Sequence, residues 1–166
     1  MDRITWHEYF MRVALLTSLR SEDTHTKVGS CIIRDKKILG TGYNGFPAGT
    51  INGAFTWEKA SEKVEETKYP YVIHAEINNI FNCNTFNLKD SIIYCTHKPC
   101  ADCLKTIILA RIKMCIYLND YSKNESHKKI TEKLINNVDN FSIHNYYDLT
   151  NTKKGYLDHY ERFKNE

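Results

Sequence analysis

The sequence predicts an α/β sandwich, in which a mixed sheet opens as an antiparallel hairpin, continues as parallel strands and carries helices on both faces. Three observations carry that prediction. Two short apolar runs, Val28 to Arg34 and Lys37 to Tyr43, flank Asp35-Lys36 in a hairpin pattern. A β-rich run from Ser91 to Thr96, a helical pattern from Cys100 to Ala110 and a second β-rich run from Lys113 to Leu118 form a strand–helix–strand unit. Such a unit demands parallel strands joined by a right-handed crossover. A charged helix over Glu125 to Val138 and a weak strand near Phe141 to His144 repeat it.

The remaining elements follow in chain order. Thr5-Trp6-His7-Glu8 reads as a capping box, with Ile4 and Tyr9 as its hydrophobic staple. Trp6, Phe10, Val13, Leu16 and Leu19 then recur at helical spacing to about Arg20. Ser21 to Thr26 is polar and reads as a loop. Gly42 to Gly49 breaks regular structure after the hairpin. The connection from Thr50 to Tyr71 is long enough to serve as a lid, and Trp57, Ala60 and Val64 predict one short surface helix within it. A helix is expected from His74 to about Cys83 with Ile77, Ile80 and Phe81 inward. The polar tail, Asp148 to Glu166, ends in a possible helix over Tyr156 to Phe163.

Composition bounds the function. A chain of 166 residues fits a single domain with a real core, here taken as 1–166. Its 42% hydrophobic and 26% charged residues are ordinary globular usage. A formal charge of +3 speaks against a nucleic-acid polymer as partner. No apolar run reaches the roughly 18 to 20 residues that span a bilayer. The first eight residues contain acids and no apolar signal core, so a cytoplasmic protein is expected. In that setting the six cysteines are not expected to form disulfides. Cys31, Cys83, Cys95 and Cys115 sit in apolar stretches and read as buried small hydrophobes.

The chemistry lies in His74-Ala75-Glu76 and Pro99-Cys100-Ala101-Asp102-Cys103. Zinc favours His nitrogen and Cys thiolate, and a catalytic zinc keeps three protein ligands and one open position. His74, Cys100 and Cys103 supply three ligands, at the starts of two predicted helices whose positive ends favour thiolates. Glu76 lies two residues beyond His74 and is free to exchange protons with a water that zinc acidifies to a pKa of about 7. His-x-Glu followed by Pro-Cys-x-x-Cys is the pattern of zinc nucleobase deaminases. Other readings stay open: a redox pair, or a closed structural zinc with His97 as fourth ligand.

The chain resembles the deoxycytidylate (dCMP) deaminases of the cytidine deaminase-like superfamily, from Trp6 to about Tyr121. The likeness includes Tyr9-Phe10-Met11, Arg20-Ser21 with Asp23, Val28-Gly29, Gly42-Tyr43-Asn44-Gly45 with Pro47 and Gly49, Tyr69-Pro70-Tyr71-Val72 and both zinc motifs. The resemblance implies a three-layer α/β/α cytidine deaminase-like sandwich, with residues 1–121 as its core and 122–166 as a C-terminal helix, strand and tail. It implies one zinc on His74, Cys100 and Cys103, Glu76 as the catalytic proton shuttle, and dCMP as the substrate converted to dUMP, which feeds dTMP synthesis. By the same resemblance Asn44 meets the sugar, the Ala75 backbone faces the pyrimidine carbonyl and Tyr121 lies near the nucleotide. Homo-oligomers, often hexamers, with dCTP and dTTP as effectors are also implied.

Val28 belongs to the expected substrate site. Arg20 and Lys27, which bracket the loop before it, are candidates for the phosphate, as is Lys123. Asn44 also reads as a left-handed turn residue beside Gly45. The chain departs from the resemblance at Arg111, where the motif has glycine, and at Thr50-Ile51-Asn52-Gly53, which lacks acids. Two competing functions remain at this stage: deamination of another cytosine or adenine compound, and a non-catalytic zinc-stabilised oligomeric binding module.

Overall fold

A computed structural model describes residues 3–121 and 124–157. The elements run α1 (Trp6–Ser18), β1 (Gly29–Arg34), β2 (Lys37–Tyr43), α2 (Ala75–Asn82), β3 (Ile92–His97), α3 (Ala101–Leu109), β4 (Met114–Asn119), α4 (Glu125–Ile135), β5 (Ser142–Asn145) and α5 (Tyr146–Thr150). The five strands form one mixed sheet in the order β2-β1-β3-β4-β5. β1 pairs antiparallel with β2 and with β3, while β3–β4 and β4–β5 are parallel. Asp35 and Lys36 turn the hairpin with φ of 51° and 60°, and so match the strand twist as a primed turn does. The expected α/β sandwich, hairpin first and parallel strands after, is the observed one.

Alternation along the strands makes two cores. Cys31, Ile33, Tyr94, Ile116 and Leu118 face one side, packed with Phe10, Met11 and Ala14 of α1 and Tyr146 of α5. Ile32, Ile93, Cys95 and Cys115 face the other, packed with Leu88 and with Ile107 and Ile112 from α3 and its end. The helix starts are capped from the sequence. Thr5 Oγ1 accepts from the Glu8 N–H at 3.1 Å, and Asn124 and Asn145 do the same for α4 and α5.

Four expectations need correction. The inward stripe of α1 is Phe10, Met11, Ala14 and Ser18, whereas Trp6, Leu16 and Leu19 are exposed. Gly29 of β1 helps to set this face: a Cβ there would lie 2.1 Å from the Ala14 carbonyl oxygen and 2.6 Å from the Ser18 nitrogen, so the second half of α1 lies close on the sheet and turns Ala14 and Ser18 to it. In α2, Ala75, Glu76 and Asn79 are buried and Phe81 is 82% exposed. Gly42 sets that face, since a Cβ there would lie 2.4 Å from the Asn79 nitrogen.

The connection after β2 holds a 3₁₀ turn at Val64–Glu66, not a helix through Trp57. The hydroxyls of Thr56 and Ser61 accept from the N–H groups of Glu58 and Lys63, local turns that compete with helix formation. Stacked rings hold the segment instead: Phe46 on Trp57 at 4.1 Å and Phe55 on Tyr71 at 4.2 Å. The short helix α5, Tyr146–Thr150, is not among the expected elements and runs into the start of the polar tail. Most of the expected helix over Tyr156 to Phe163 lies outside the described residues, as does Lys123.

Candidate active site

The site forms where α2 and α3 begin. His74 is the residue before α2 and Cys100 the residue before α3, each with extended backbone. An isolated bridge between Gly45 and Ile73 draws the segment after β2 alongside His74, and so brings Asn44 to the same place. Cys103 sits one turn into α3, fully buried, while His74 and Cys100 are exposed.

The ligand atoms of His74, Cys100 and Cys103 lie within 4.8 Å of one another. His74 Nδ1 is 3.3 Å from the Cys103 sulfur and 3.6 Å from the Cys100 sulfur. One nitrogen and two sulfurs, clustered this tightly, suit zinc. The thiols are already polarised. Hydrogen bonding from Cys103, and then from His74, holds Cys100 down to about 4. Cys103 is pushed up in turn, because its proton is shared with Cys100 and because it is buried. His74 is raised, chiefly by its hydrogen bond with Cys100. His97, the conceivable fourth ligand, lies outside the cluster among the described residues. Its Nδ1 meets Thr96 Oγ1 at 3.0 Å and its ring faces Tyr121.

His74, Ala75, Glu76 and Cys100 open onto a cleft of about 260 Å³, whose lining also includes Val28, Asn44, Thr26 and Val72. Glu76 is 4% exposed. Burial pushes its carboxyl up, partly opposed by its own helix-start N–H and by His74. Asn44 lies in this lining with its amide fully oriented. Its Oδ1 accepts from the Val28 N–H at 2.8 Å, and its Nδ2 donates to Asp23 and to the Thr26 carbonyl. Its φ is not left-handed, so the turn-residue reading is overturned.

Not every expected residue comes to the cleft. Arg20 lines a separate hollow with Gly45, Pro47 and Trp57 and stands 6.0 Å from the Tyr43 ring centroid. Lys27 is exposed and is not among the lining residues. Tyr121, 65% exposed, lines an adjoining hollow that shares His97, Lys98 and Cys100 with the cleft. The cations of the cleft are Lys59, Lys68 and Lys98. Sequence reasoning passed over all three. For Lys68, its place directly before Tyr69-Pro70-Tyr71-Val72 was the signal at hand.

Residues 4–119 match the family described as the cytidine and deoxycytidylate deaminase zinc-binding region. The chain belongs to this family. Its human relative, deoxycytidylate deaminase, is 41% identical over 138 residues, covering 82% of this chain and 77% of that protein. The deoxycytidylate deaminase of Mycobacterium phage D29 is 32% identical over 124 residues, covering 70% of this chain and 97% of that one. Among solved structures, the dCMP deaminase of cyanophage S-TIM5 in complex with dCMP and dUMP aligns with a TM-score of 0.66 and 26% identity. It covers 87% of this chain and 99% of that chain. The fold expected from the resemblance is therefore the fold of this deaminase family. No described helix is long and apolar enough to cross a membrane.

Proposed function

We propose that the protein hydrolyses dCMP to dUMP and ammonia. The observation that carries this reading is a buried carboxylate, Glu76, lining the same cleft as two members of a His–Cys–Cys donor set, in a chain 41% identical to a deoxycytidylate deaminase.

His74, Cys100 and Cys103 would hold the zinc. Zinc held there supplies a Lewis acid that makes water nucleophilic near neutral pH. The protein's own groups do the rest. Cytosine enters with C4 toward the donor set and its ring carbonyl toward the Ala75 backbone. Glu76 takes a proton from the attacking water and delivers it to the ring nitrogen beside C4. Glu76 then takes the remaining proton from the oxygen now bonded to C4 and passes it to the amine; the C4–amine bond breaks, ammonia leaves and the oxygen stays on C4 as a carbonyl. Burial suits Glu76 to this work, because raising the carboxyl above its ordinary range brings it nearer the operating pH, where one group can both take up a proton and return it.

A nucleotide is favoured over a free nucleoside by one of the three cations of the cleft, Lys59. Lys68 is neutralised by Asp23 and Lys98 by Asp120 at 2.9 Å. Lys59, on the exposed rim, reaches Thr26 Oγ1 at 3.4 Å and is the cation best placed for a 5′-phosphate. Assembly of the chain with copies of itself belongs to the same reading, supported by the exposed apolar side chains of Trp6, Leu16, Phe81, Phe86 and Leu109. The test is ammonia release from dCMP, CMP, dCTP, deoxycytidine and a cytosine-bearing oligonucleotide by zinc-loaded protein. Turnover of dCMP at the highest kcat/KM supports the reading, and preference for any other member of that set overturns it.

A further inference from the structure

The deaminase reading leaves a buried ion pair in the cleft wall without a role. Lys68 Nζ donates to Asp23 Oδ2, and the two side chains are 6% and 1% exposed. An ion pair this dry is costly to form and persists only where its remaining hydrogen-bonding capacity is met. Asp23 Oδ1 accepts from the N–H groups of His25 at 2.8 Å and Thr26 at 3.0 Å. Asp23 Oδ2 accepts, besides Lys68, one proton of Asn44 Nδ2 at 3.1 Å.

That last bond decides what Asn44 can offer. An asparagine amide has two N–H donors and an oxygen with two lone pairs. Both donors are used, on Asp23 and on the Thr26 carbonyl, and one lone pair takes the Val28 N–H. One lone pair of Oδ1 is left. Turning the amide over would set its oxygen against the Asp23 carboxylate and the Thr26 carbonyl, and its N–H groups against the Val28 N–H. The surroundings therefore fix the cleft-facing function of Asn44 as an acceptor. Lys68 is itself held in place, since its N–H donates to the Glu58 carbonyl at 2.9 Å and its carbonyl accepts from Tyr71 and Val72. The pair thus pins the long connection after β2 to the wall that carries Asn44.

We infer that Lys68 and Asp23 are positioning residues that lock the Asn44 amide with its oxygen available to the substrate's sugar hydroxyl. The inference rests on the deaminase reading for the identity of the substrate. Two groups of dCMP donate hydrogen bonds, the exocyclic amine and the 3′-hydroxyl. The amine belongs at the donor set and Glu76, which leaves the hydroxyl for Asn44.

The experiment compares Lys68→Met with wild type on dCMP and on 2′,3′-dideoxycytidylate, which lacks the hydroxyl. The loss of one well-placed hydrogen bond predicts a KM for dCMP raised about tenfold. The kcat should stay within about twofold, and the KM for the dideoxy substrate should not move. In an Asn44→Ala background, Lys68→Met should add less than about twofold, because the two residues act through one contact. An equal rise with both substrates, or an undiminished effect in the Asn44→Ala background, would overturn the inference. Nitrogen-15 NMR of the Asn44 side-chain amide separates this claim from the substrate reading. Lys68→Met should speed its proton exchange at least about tenfold, as expected for a lost buried bond, whatever the substrate. An amide unchanged by the substitution would overturn the positioning role, whereas a loosened amide in a protein inert toward dCMP would uphold it and sink the substrate assignment. Should Lys68→Met not fold, Lys68→Gln keeps a donor without the charge and is expected to give the same pattern at smaller size.

Discussion

Replacing Arg111 by glycine should stabilise the protein without touching its chemistry. Arg111 follows the end of α3 with φ of 59°. The Ile112 N–H donates to the Ile107 carbonyl at 3.3 Å and the Arg111 N–H to the Ile108 carbonyl at 2.9 Å. This is the Schellman arrangement, in which Arg111 holds the position that favours glycine. Ile107 and Ile112 are both buried in one core, as that motif requires. Relief of a side chain in the left-handed region is worth about 1–2 kcal/mol. The extra freedom of glycine in the unfolded chain takes back about 0.4–1 kcal/mol. The net gain is about 0.8 kcal/mol at the midpoints of these ranges, or about 2–3 °C in Tm for a chain of this size. The Arg111 side chain is exposed, so little packing is lost. Urea unfolding of wild type and Arg111→Gly at pH 7 reads the gain as a higher midpoint at unchanged slope. Zinc content and turnover should not move, because Cys100 stands at the opposite end of α3. A lower midpoint would refute the cap assignment.

Three further outcomes follow from the same geometry. Gly42→Ala would set a methyl 2.4 Å from the Asn79 nitrogen and 2.5 Å from the Ala75 carbonyl oxygen. It should cost about 1–3 kcal/mol by overpacking and, by shifting the start of α2, weaken zinc retention; a urea midpoint and a chelator competition measure both. Cys100→Ser removes the donor already held as thiolate and should leave well under one zinc per chain after dialysis, while Cys83→Ser, outside the donor set, keeps its zinc. Asp23 gives the acid response. Burial raises its carboxyl, but hydrogen bonds from Lys68, His25 and Thr26 outweigh that and leave it below the usual range. A depressed carboxyl contributes stability that is present above its unfolded pKa of about 3.9 and is lost as pH falls through the lower folded value. In Lys68→Met burial meets less opposition, so the loss should begin at higher pH, and urea midpoints between pH 3 and 7 that run parallel for the two proteins would contradict this.

Much of the fold was legible because its signals are local. The apolar runs around Asp35-Lys36 and the alternation of β-rich and helical stretches from Ser91 to Leu118 correspond to β1, β2, β3, α3 and β4. The donor set was legible for the same reason. Cys-x-x-Cys is one helical turn, and His74 opens the neighbouring helix. Helix faces were less legible. The periodicity of α1 pointed to Leu16 and Leu19, and that of α2 to Phe81. In each case a glycine on a strand, Gly29 or Gly42, lets the helix backbone approach closely at Ala14 and Ser18 or at Ala75 and Asn79, and that contact, not the apolar periodicity, sets the face. The wall of the cleft was the least legible part. Asp23 and Lys68 are 45 residues apart in sequence and meet only because the connection after β2 folds back. Arg20 and Lys27, nearer to Val28 in the chain, lie elsewhere.

The central claim is that Glu76 moves protons beside a zinc held by His74, Cys100 and Cys103. Zinc content and ammonia release from dCMP, measured together on wild type and Glu76→Gln, test it most directly. The account predicts about one zinc per chain in both proteins, with release in the variant slowed at least 10²- to 10⁴-fold, roughly the contribution of one acid–base group. A variant that keeps its zinc and releases ammonia at the wild-type rate would contradict it.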